Sequence, residues 1–329
     1  MELVDKKVLV TGASGFIGSH LTEELAKMGC RVRAFIKYKS SGDLGNLEEL
    51  SPGLLEKIEI IRGDLKNPDS VKRAVKNIDV VFHLGALISI PYSYVDPREF
   101  VETNVTGTLN ILKACQEENV KKIIITSTSE VYGTGKYTPI DEKHPLQAQS
   151  PYSASKMSAD KLAESFYNTY NLPVTIIRPF NSYGPRQSRR AVIPTIIYQA
   201  LTSKELSLGS LEPKRDFTYV KDTVQGFIKV AESDNSIGEI FNISSGKTIS
   251  IRELVETIGK IIGKELIPNK DQKKIRPEKS EVMILLGDNR KAKEIIKWEP
   301  KYSLEEGLKE VVKYIKQNLN SYKLERENI

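Results

Sequence analysis

Short apolar runs alternate along the first half of the chain with segments whose apolar residues recur every three to four positions. The runs have the length of buried strands, and the segments between them have the period of amphipathic helices. The predicted strands are residues 7–10, 31–36, 58–62, 80–84, 123–127 and 174–178. The predicted helices are residues 18–28, 68–75, 103–118 and 152–170. This alternation predicts an α/β fold with a doubly wound parallel sheet.

The pattern changes after residue 178, where a turn-rich segment rich in Pro, Gly, Asn and Ser begins. We predict that residues 1–178 form a dinucleotide-binding domain and that residues 217–243 return to it. Residues 179–216 and 244–329 are predicted to form a smaller, C-terminal substrate-binding region. From residue 303 onward, apolar residues at helical spacing predict a final amphipathic helix. They are Leu304, Leu308, Val311, Val312 and Ile315.

The first predicted strand ends in three regularly spaced glycines, Gly12, Gly15 and Gly18, and a helix follows them. In a dinucleotide site Gly12 would permit the tight turn, Gly15 would let the backbone approach a pyrophosphate, and Gly18 would let the helix pack closely. The Gly-x-x-Gly-x-x-Gly spacing is one residue longer in its first half than the commonest dinucleotide motif. The order of strand, turn and helix predicts a dinucleotide cofactor.

A possible acid–base pair, Tyr152 and Lys156, lies four residues apart in a predicted helix, so both side chains project from one face. A nearby ammonium group lowers the pKa of a phenol, and we predict this effect on Tyr152. Such a phenol can take a proton from a sugar hydroxyl. An isolated pair of this kind is more often part of an ordinary helix surface. The glycine motif favours the catalytic interpretation and predicts a hydride-transfer site.

Composition excludes several other classes of function. The chain of 329 residues carries a net charge of +6, but its Lys and Arg residues are interleaved with Asp and Glu, so no nucleic-acid surface is predicted. It has no long apolar run and no signal-peptide pattern, which predicts a cytoplasmic protein without a membrane partner. Cys30 and Cys115 are predicted to be reduced. His20, His83 and His144 are widely separated, so no metal site is predicted.

Further motifs occur in a fixed order along nearly the whole chain. They are Gly63-Asp64-Leu65, His83-Leu84-Gly85-Ala86, Asn104-Val105-Thr106-Gly107-Thr108, Arg178-Pro179-Phe180-Asn181, Tyr183-Gly184-Pro185-Arg186 and Arg215-Asp216-Phe217-Thr218-Tyr219-Val220. With the glycine motif and the Tyr152–Lys156 pair, they make the chain resemble the extended short-chain dehydrogenases/reductases that act as nucleotide-sugar epimerases and dehydratases. The resemblance implies a Rossmann fold and a nucleotide-diphosphate sugar as substrate.

The resemblance also implies residue roles. Cofactor-binding residues would be Gly12, Ser14, Gly15, Phe16, Ile17, Gly18, Lys37, Asp64, Leu65, Leu84, Gly85, Ala86, Asn104, Tyr152 and Lys156. Substrate-binding residues would be Ser89, Glu130, Asn181, Arg186, Val192, Arg215 and Arg276. Guanidinium groups such as those of Arg186 and Arg215 suit bidentate phosphate contacts. A homodimer is implied through a four-helix bundle of the predicted helices 103–118 and 152–170, whose apolar faces include Leu109, Leu112, Leu162 and Phe166.

The reaction depends on Thr128, Ser129 and Glu130, which follow the fifth predicted strand. Epimerases of this family usually carry small apolar residues there, whereas the Thr-Ser-Glu sequence resembles GDP-mannose 4,6-dehydratases. Residues 87–97 and 189–194 resemble the N-acetylglucosamine-nucleotide 4,6-dehydratases of legionaminic-acid pathways. The resemblance therefore implies a 4,6-dehydratase that acts on a UDP- or GDP-activated hexose, with N-acetylglucosamine as the first expectation.

In the predicted mechanism, Tyr152 takes the C4 hydroxyl proton, Thr128 binds the same oxygen and Lys156 holds the cofactor ribose. The C4 hydride would pass to the nicotinamide to give a 4-ketone, Glu130 would remove the C5 proton, the C6 hydroxyl would leave as water, and the hydride would return to C6. Ser129 replaces the Asp of dTDP-glucose dehydratases, so either Glu130 or water supplies the proton to the leaving hydroxyl. Several alternatives stay open at this point. They are a 4-epimerase, a sugar-nucleotide decarboxylase, which shares the Thr-Ser-Glu sequence, a non-catalytic NADP-sensing scaffold, and a purely structural role for Glu130.

The choice between NAD and NADP depends on the end of the second predicted strand. An NAD-selective site would offer an acidic residue there, and the sequence has Lys37 and Lys39 instead. These lysines would neutralise the 2′-phosphate of NADP, or they form an ordinary solvated pair at a strand end. Both cofactors therefore remain candidates.

Overall fold

A seven-stranded parallel sheet forms the centre of the protein, in the order β11-β6-β5-β4-β1-β2-β3. The computed structural model describes residues 1–203, 205–275 and 277–324. The strands of the main sheet are β1 Lys7–Thr11, β2 Arg31–Lys37, β3 Glu59–Gly63, β4 Val80–His83, β5 Lys122–Thr126, β6 Val174–Pro179 and β11 Ile240–Ile243. The remaining strands are β7 Asn181–Tyr183, β8 Glu205–Leu208, β9 Lys214–Arg215, β10 Phe217–Tyr219, β12 Ile249–Ser250, β13 Ile267–Lys270 and β14 Ile284–Leu285.

Helices cover both faces of the main sheet. The α-helices are α1 Phe16–Lys27, α2 Pro52–Leu55, α3 Pro68–Val75, α4 Ile90–Val95, α5 Pro97–Phe100, α6 Gly107–Glu117, α7 Pro151–Tyr170, α8 Val192–Thr202, α9 Val220–Glu232, α10 Ile251–Ile262, α11 Arg290–Ile296, α12 Leu304–Gln317 and α13 Leu319–Leu324. Short 3₁₀ turns span Gly45–Glu49, Ser129–Tyr132, Asp234–Ser236, Gln272–Lys274 and Glu278–Ser280. A π-helical turn, Val101–Thr106, leads into α6.

The side chains of β1 show how the sheet is buried from both sides. Val8, Leu9 and Val10 are all inaccessible to solvent. Val8 and Val10 pack with the residues of α1 and α9, whereas Leu9 packs on the other face with those of α3, α6 and α7. Successive residues of a strand point to opposite faces, so a continuous apolar run is what a strand covered on both sides requires. The predicted doubly wound parallel sheet is confirmed.

The predicted elements differ from the structure mainly at their ends. The predicted helix 103–118 is interrupted, because the π-helical turn Val101–Thr106 precedes the α-helical part. The predicted final helix is α12, which begins at the N-cap Ser303 with a capping box to Glu306. Its buried residues include Leu308, Val311, Val312 and Ile315, as the spacing predicted.

The second half of the chain contributes to both parts of the molecule. Helix α9 packs on α1, and β11 pairs with β6 at the edge of the main sheet. The short strand β9 lies between β12 and β14 in a separate sheet, and α8 packs against α10 and α12. The exact boundaries between the two predicted regions stay a prediction. Among the described residues, no helix has the length and apolar character needed to cross a bilayer.

Candidate active site

The glycine turn between β1 and α1 leaves no room for side chains. Gly12 has a φ of +69°, and a Cβ there would lie 2.8 Å from the backbone of Gly85. A Cβ on Gly18 would lie 2.1 Å from the carbonyl oxygen of Gly12. Gly15 is the N-cap of α1, and no side chain caps that helix. The first amides of α1 are therefore available to an anion such as a pyrophosphate, so the turn fits a dinucleotide.

Residues predicted to border the cofactor surround this turn. The amide of Gly85 donates to the Thr11 hydroxyl at 3.0 Å, and a Cβ on Gly85 would lie 2.8 Å from the Leu65 side chain. Asp64 accepts a hydrogen bond from the amide of Lys66. The carbonyl of Ser14 accepts one from the amide of Asn46. Four more predicted cofactor residues are half-buried here, namely Phe16, Ile17, Leu84 and Ala86.

Asn104 holds the loop that follows β4. Its side chain accepts from the amide of Leu87 at 2.8 Å and donates to the carbonyl of Leu87 and to the hydroxyl of Ser155, both at 2.9 Å. It is 1% exposed. The amide group of Asn104 is therefore used for protein contacts, and the geometry favours a supporting role beside the cleft. Direct contact with a cofactor stays a prediction.

The acidic residue Asp43 lies in the loop after β2, although the end of the strand itself carries no acidic residue. Asp43 accepts from Lys39 Nζ at 2.7 Å, from the Ser41 hydroxyl at 2.7 Å and from the amide of Gly45 at 3.1 Å. Lys39 lowers the pKa of Asp43 through this bond. Lys37, at the end of β2, is exposed. Asp43 thus neutralises Lys39, which is one of the two lysines predicted to bind a 2′-phosphate.

Helix α7 carries Tyr152 and Lys156 on its buried face. It starts at the N-cap Ser150, whose hydroxyl accepts from the amide of Ser153, while the Ser153 hydroxyl accepts from the amide of Ser150. This reciprocal cap fixes the first turn, on which Tyr152 lies. Tyr152 is 7% exposed and Lys156 is 4% exposed. The helix therefore brings both groups into one enclosed site, as predicted.

The predicted effect of Lys156 on Tyr152 is wrong for this structure. Burial raises the pKa of Tyr152, the nearby Glu130 carboxylate adds to the rise, and a hydrogen bond with Thr128 opposes it. Lys156 Nζ instead donates to the carbonyl oxygen of Thr126 at 2.5 Å. Burial also lowers the pKa of Lys156 to about 8. Desolvation of both groups is thus stronger than the attraction that their spacing suggested.

The 3₁₀ turn Ser129–Tyr132 places the Thr-Ser-Glu sequence directly after β5. The hydroxyl of Thr128, the N-cap of this turn, accepts from the amide of Glu130 at 3.2 Å. Thr128 and Ser129 are buried, whereas Glu130 is partly exposed. Within the described residues, the Glu130 carboxylate has no ion pair and no hydrogen bond to a side chain. The Glu130 carboxylate raises the pKa of Tyr152, so its charge acts on the phenol.

Two predicted substrate residues lie in neighbouring segments on the C-terminal side of the sheet. Asn181 in β7 pairs with Phe217 in β10, two residues after Arg215. The side-chain oxygen of Asn181 is buried and has no hydrogen-bond partner among the described residues. Arg215 is 7% exposed and donates to Glu281 at 3.0 Å and to the carbonyl of Val282 at 2.6 Å. The structure therefore places the two residues in neighbouring segments of the chain, and a shared substrate contact stays a prediction.

The other predicted substrate residues are placed differently. Arg186 has a φ of +66°, and its guanidinium group lies 2.7 Å from the Glu23 carboxylate and 3.7 Å from the Glu49 carboxylate. These contacts favour a structural role between α1, which carries Glu23, and the 3₁₀ turn Gly45–Glu49. Ser89 is the N-cap of α4, and Val192 is the first residue of α8. Arg276 lies outside the described residues. The assignment of these four residues to a substrate site stays a prediction.

Sequence reasoning missed a buried polar network behind Lys156. Asp160 accepts from the Ser127 hydroxyl at 2.8 Å and from Arg178 Nη2 at 2.9 Å. Arg178 also donates to the Tyr132 hydroxyl at 2.9 Å. Asp160 lies four residues after Lys156 in α7, so the helical spacing that identified Tyr152 and Lys156 would also have identified it. No cluster of three or more potential metal ligands occurs among the residues that the structure describes.

Comparison with known proteins identifies the family. Residues 9–311 match the family model for GDP-mannose 4,6-dehydratase. A UDP-N-acetyl-alpha-D-glucosaminuronate decarboxylase from Bacillus cytotoxicus is 37% identical over 95% of this chain and 98% of its own. A dTDP-D-glucose 4,6-dehydratase from Mus musculus is 32% identical over 97% of this chain and 91% of its own.

A solved structure supports the same assignment. The UDP-glucuronic acid 4-epimerase from Bacillus cereus, in complex with UDP-glucuronic acid and NAD, has a TM-score of 0.86 and 33% identity, over 95% of this chain and 99% of its own. The relatives thus include dehydratases, epimerases and decarboxylases at similar levels of identity. This chain is an enzyme and belongs to the extended short-chain dehydrogenase/reductase family of nucleotide-sugar dehydratases and epimerases.

Proposed function

We propose that this enzyme is a nucleotide-sugar 4,6-dehydratase. Its substrate would be a UDP- or GDP-activated hexose, with N-acetylglucosamine as the first candidate, and its product would be the 4-keto-6-deoxy sugar. The observation that carries the proposal is the position of Glu130. Glu130 is partly exposed, follows Thr128 and Ser129 directly after β5, raises the pKa of Tyr152 through its charge, and has no ion pair with another described residue. An epimerase, which only oxidises and reduces C4, has no use for such a base.

The glycine turn and its surroundings would hold the cofactor. The first amides of α1 would bind the pyrophosphate, and Leu65 and Gly85 would border the cleft beside Gly12. A nicotinamide bound there supplies hydride acceptance from C4 and hydride return to C6. We infer NAD as the cofactor, because Asp43 already neutralises Lys39 and because the B. cereus epimerase was solved with NAD. A fluorescence titration with NAD⁺ and NADP⁺ tests this, and tighter binding of NADP⁺ would contradict it.

Tyr152 is the proposed proton acceptor at the C4 hydroxyl. Burial raises its pKa, so the phenol is a weak acid until charge nearby stabilises the phenolate. The Thr128 hydroxyl already lowers the pKa of Tyr152 by a hydrogen bond, and it would turn its single proton to the sugar oxygen when the substrate binds. Lys156 is one helical turn away and is also enclosed. Reorientation of its ammonium group from the Thr126 carbonyl towards Tyr152 would favour the phenolate.

Glu130 is the proposed base at C5. A ketone at C4 acidifies the C5 proton, and a carboxylate without a competing cation is able to accept it. Loss of the C6 hydroxyl as water then follows. Ser129 is buried and is a poor acid, so the protonated Glu130 or a water molecule would supply the proton to the leaving hydroxyl. One residue would then act first as base and afterwards as acid.

Decarboxylation is the second candidate, because the B. cytotoxicus decarboxylase is 37% identical. A decarboxylase substrate carries a carboxylate at C6, where this proposal places a neutral hydroxyl. Two carboxylates at short range repel each other unless a cation lies between them. No ion pair connects Glu130 to a Lys or Arg among the residues that the structure describes. This repulsion is our argument for a neutral C6 group, and because the decarboxylases share the Thr-Ser-Glu sequence, the mass of the product decides between the two reactions.

A panel of UDP- and GDP-activated N-acetylglucosamine, glucose, mannose and glucuronate distinguishes the candidates by product mass. The proposal predicts a product lighter by one water from a neutral hexose. A product lighter by carbon dioxide from a uronate would establish the decarboxylase, and a product of unchanged mass with inverted C4 would establish the epimerase. Cofactor binding without turnover of any of these sugars would favour a non-catalytic scaffold.

We also propose a homodimer that forms through α6 and α7. Leu112 and Phe166 are buried in the chain's own core, so they are not available to a partner. Leu109 and Leu162 are half-buried on the same two helices, and Tyr170 at the end of α7 is 53% exposed. These residues would supply the apolar part of the bundle. Light scattering at micromolar concentration should give twice the 37.0 kDa mass of one chain, and a monomer would refute the dimer.

A further inference from the structure

Three ionisable side chains form a row on the buried face of α7. Tyr152, Lys156 and Asp160 follow one another at intervals of four residues, so each lies one helical turn from the next. Their exposed fractions are 7%, 4% and 0%. A phenol, an ammonium group and a carboxylate are thus aligned in a region that excludes water. Charges interact more strongly in such a region than at the surface.

Two neighbouring strands hold the Asp160 carboxylate in place. One of its oxygens accepts hydrogen bonds from the Ser127 hydroxyl after β5 and from Nε and Nη2 of Arg178 in β6, at 2.8, 3.2 and 2.9 Å. Its other oxygen is buried and has no hydrogen-bond partner among the described residues. Arg178 is itself 1% exposed. Burial raises the pKa of Asp160, and its bonds to Arg178 and Ser127 oppose this rise while they fix the carboxylate in position.

Lys156 Nζ donates to the Thr126 carbonyl oxygen, and Asp160, whose ion pair is with Arg178, acts on Lys156 from one helical turn away. Burial lowers the pKa of Lys156 to about 8, and Asp160 is the neighbour that raises it. His83 in β4 is neutral, because burial lowers its pKa to about 3. Lys156 lies between Tyr152 and Asp160 on α7. The other titratable or charged groups around these three residues are His83, Arg178 and Glu130.

We propose that Asp160 is a positioning residue whose carboxylate, fixed by Arg178 and Ser127, keeps Lys156 protonated. A protonated Lys156 is a cation one helical turn from Tyr152, where it supports the phenolate that accepts the sugar proton. Without Asp160, the buried amine would lose its proton near neutral pH and would no longer favour the phenolate. The catalytic consequence rests on the proposed role of Tyr152, whereas the charge of Lys156 does not.

The test compares Asp160→Asn with Asp222→Asn in the cofactor-free protein. Asp222 lies in α9, away from Lys156, and is also buried, at 2% exposed. Its carboxylate accepts hydrogen bonds from the amides of Lys301 and Tyr302. NMR of ¹³C-labelled lysine follows the Lys156 titration, and Lys156→Arg assigns its signal. Asp160→Asn should lower the pKa of Lys156 by about 1–3 units. Asp222→Asn should leave it unchanged.

Turnover gives the second readout. In Asp160→Asn, the fall in activity on the alkaline side should begin at lower pH than in the unaltered enzyme, by the same shift that NMR records. An unchanged Lys156 titration, or a loss of activity that is equal at every pH, would show that Asp160 is only structural. The NMR result requires no substrate, so it stands even if the sugar reaction differs from the one proposed.

A measurement on the unaltered protein covers the case in which Asp160→Asn does not fold. The ¹³C signal of the Asp160 carboxyl should show an ionised group at neutral pH and should respond when Lys156 titrates. A carboxyl that remains protonated through neutral pH would overturn the proposal, because a neutral acid does not hold a charge on Lys156.

Discussion

The two sides of the active site are built by different forces. On the cofactor side, backbone packs against backbone, so that Gly12, Gly18 and Gly85 approach within distances that no Cβ allows. On the proposed substrate side, a strand of two residues, β9, carries Arg215, and this arginine pairs with Glu281, far along the chain. Shape therefore determines the cofactor side, and paired charges determine the substrate side. Substitutions should affect the two sides in different ways.

Gly18→Ala should give the largest effect and should act on the cofactor side. Its Cβ would lie 2.1 Å from the Gly12 carbonyl oxygen, so the turn or α1 must move. Forced overpacking of this kind costs about 1–3 kcal/mol of folding free energy. Calorimetry should show a lower melting temperature and at least a tenfold loss of cofactor affinity. Gly53→Ala is the control, because its Cβ would meet no atom within 4 Å, and equal losses in both variants would contradict this account.

Arg215→Lys should act on the substrate side alone. Lysine keeps a positive charge for Glu281 but loses the planar fork that would bind a diphosphate at two points in the proposed site. The loss of one charge-assisted hydrogen bond corresponds to about 1.5–3 kcal/mol, so KM should rise about ten- to hundredfold. Cofactor affinity should not change. Arg252→Lys, at an exposed pair with Glu212, should alter neither quantity. A parallel loss of cofactor affinity in Arg215→Lys would mean that the two sides are not independent.

The sequence predicted the glycine turn and the helix that carries Tyr152 and Lys156 because their determinants are local. The glycines lie within seven residues of one another, and the Tyr152–Lys156 spacing lies within one helix. The substrate side depends on contacts between distant residues. No sequence pattern near Arg186 predicts its ion pair with Glu23, and none near Arg215 predicts its ion pair with Glu281. The contact of Lys156 with the Thr126 carbonyl also arises only when α7 packs on β5.

A pH effect of intermediate size is expected from His83 beneath the cofactor cleft. Its ring bonds to the hydroxyls of Thr11 and Thr108, and burial lowers its pKa from 6.5 to about 3. Between pH 6.5 and 3, His83 therefore binds a proton in the unfolded chain but not in the folded chain. The free energy of unfolding decreases as the pH falls through this range. The slope from one such group is at most about 1.4 kcal/mol per pH unit. In His83→Gln, the melting temperature should decrease less steeply as the pH falls than it does in the unaltered protein. An equally steep decrease in both proteins would contradict this.

Lys39→Ala should have the smallest effect. Its partner Asp43 lies on an exposed loop, and exposed ion pairs contribute little to stability. If NAD is the cofactor, loss of Lys39 should leave both the melting temperature and the preference for NAD⁺ over NADP⁺ unchanged. A selective loss of NADP⁺ binding in a fluorescence titration would instead show that this lysine meets a 2′-phosphate.

The most direct test of the central claim follows the C5 proton. The enzyme is incubated in D₂O with UDP- or GDP-activated N-acetylglucosamine, and the product is analysed by mass spectrometry and NMR. If Glu130 exchanges the C5 proton during water loss, the product will lack one water and carry deuterium at C5, and Glu130→Gln will abolish both changes while cofactor binding persists. A sugar that turns over without losing water or gaining deuterium, or a Glu130→Gln variant that still dehydrates its substrate, would contradict the account.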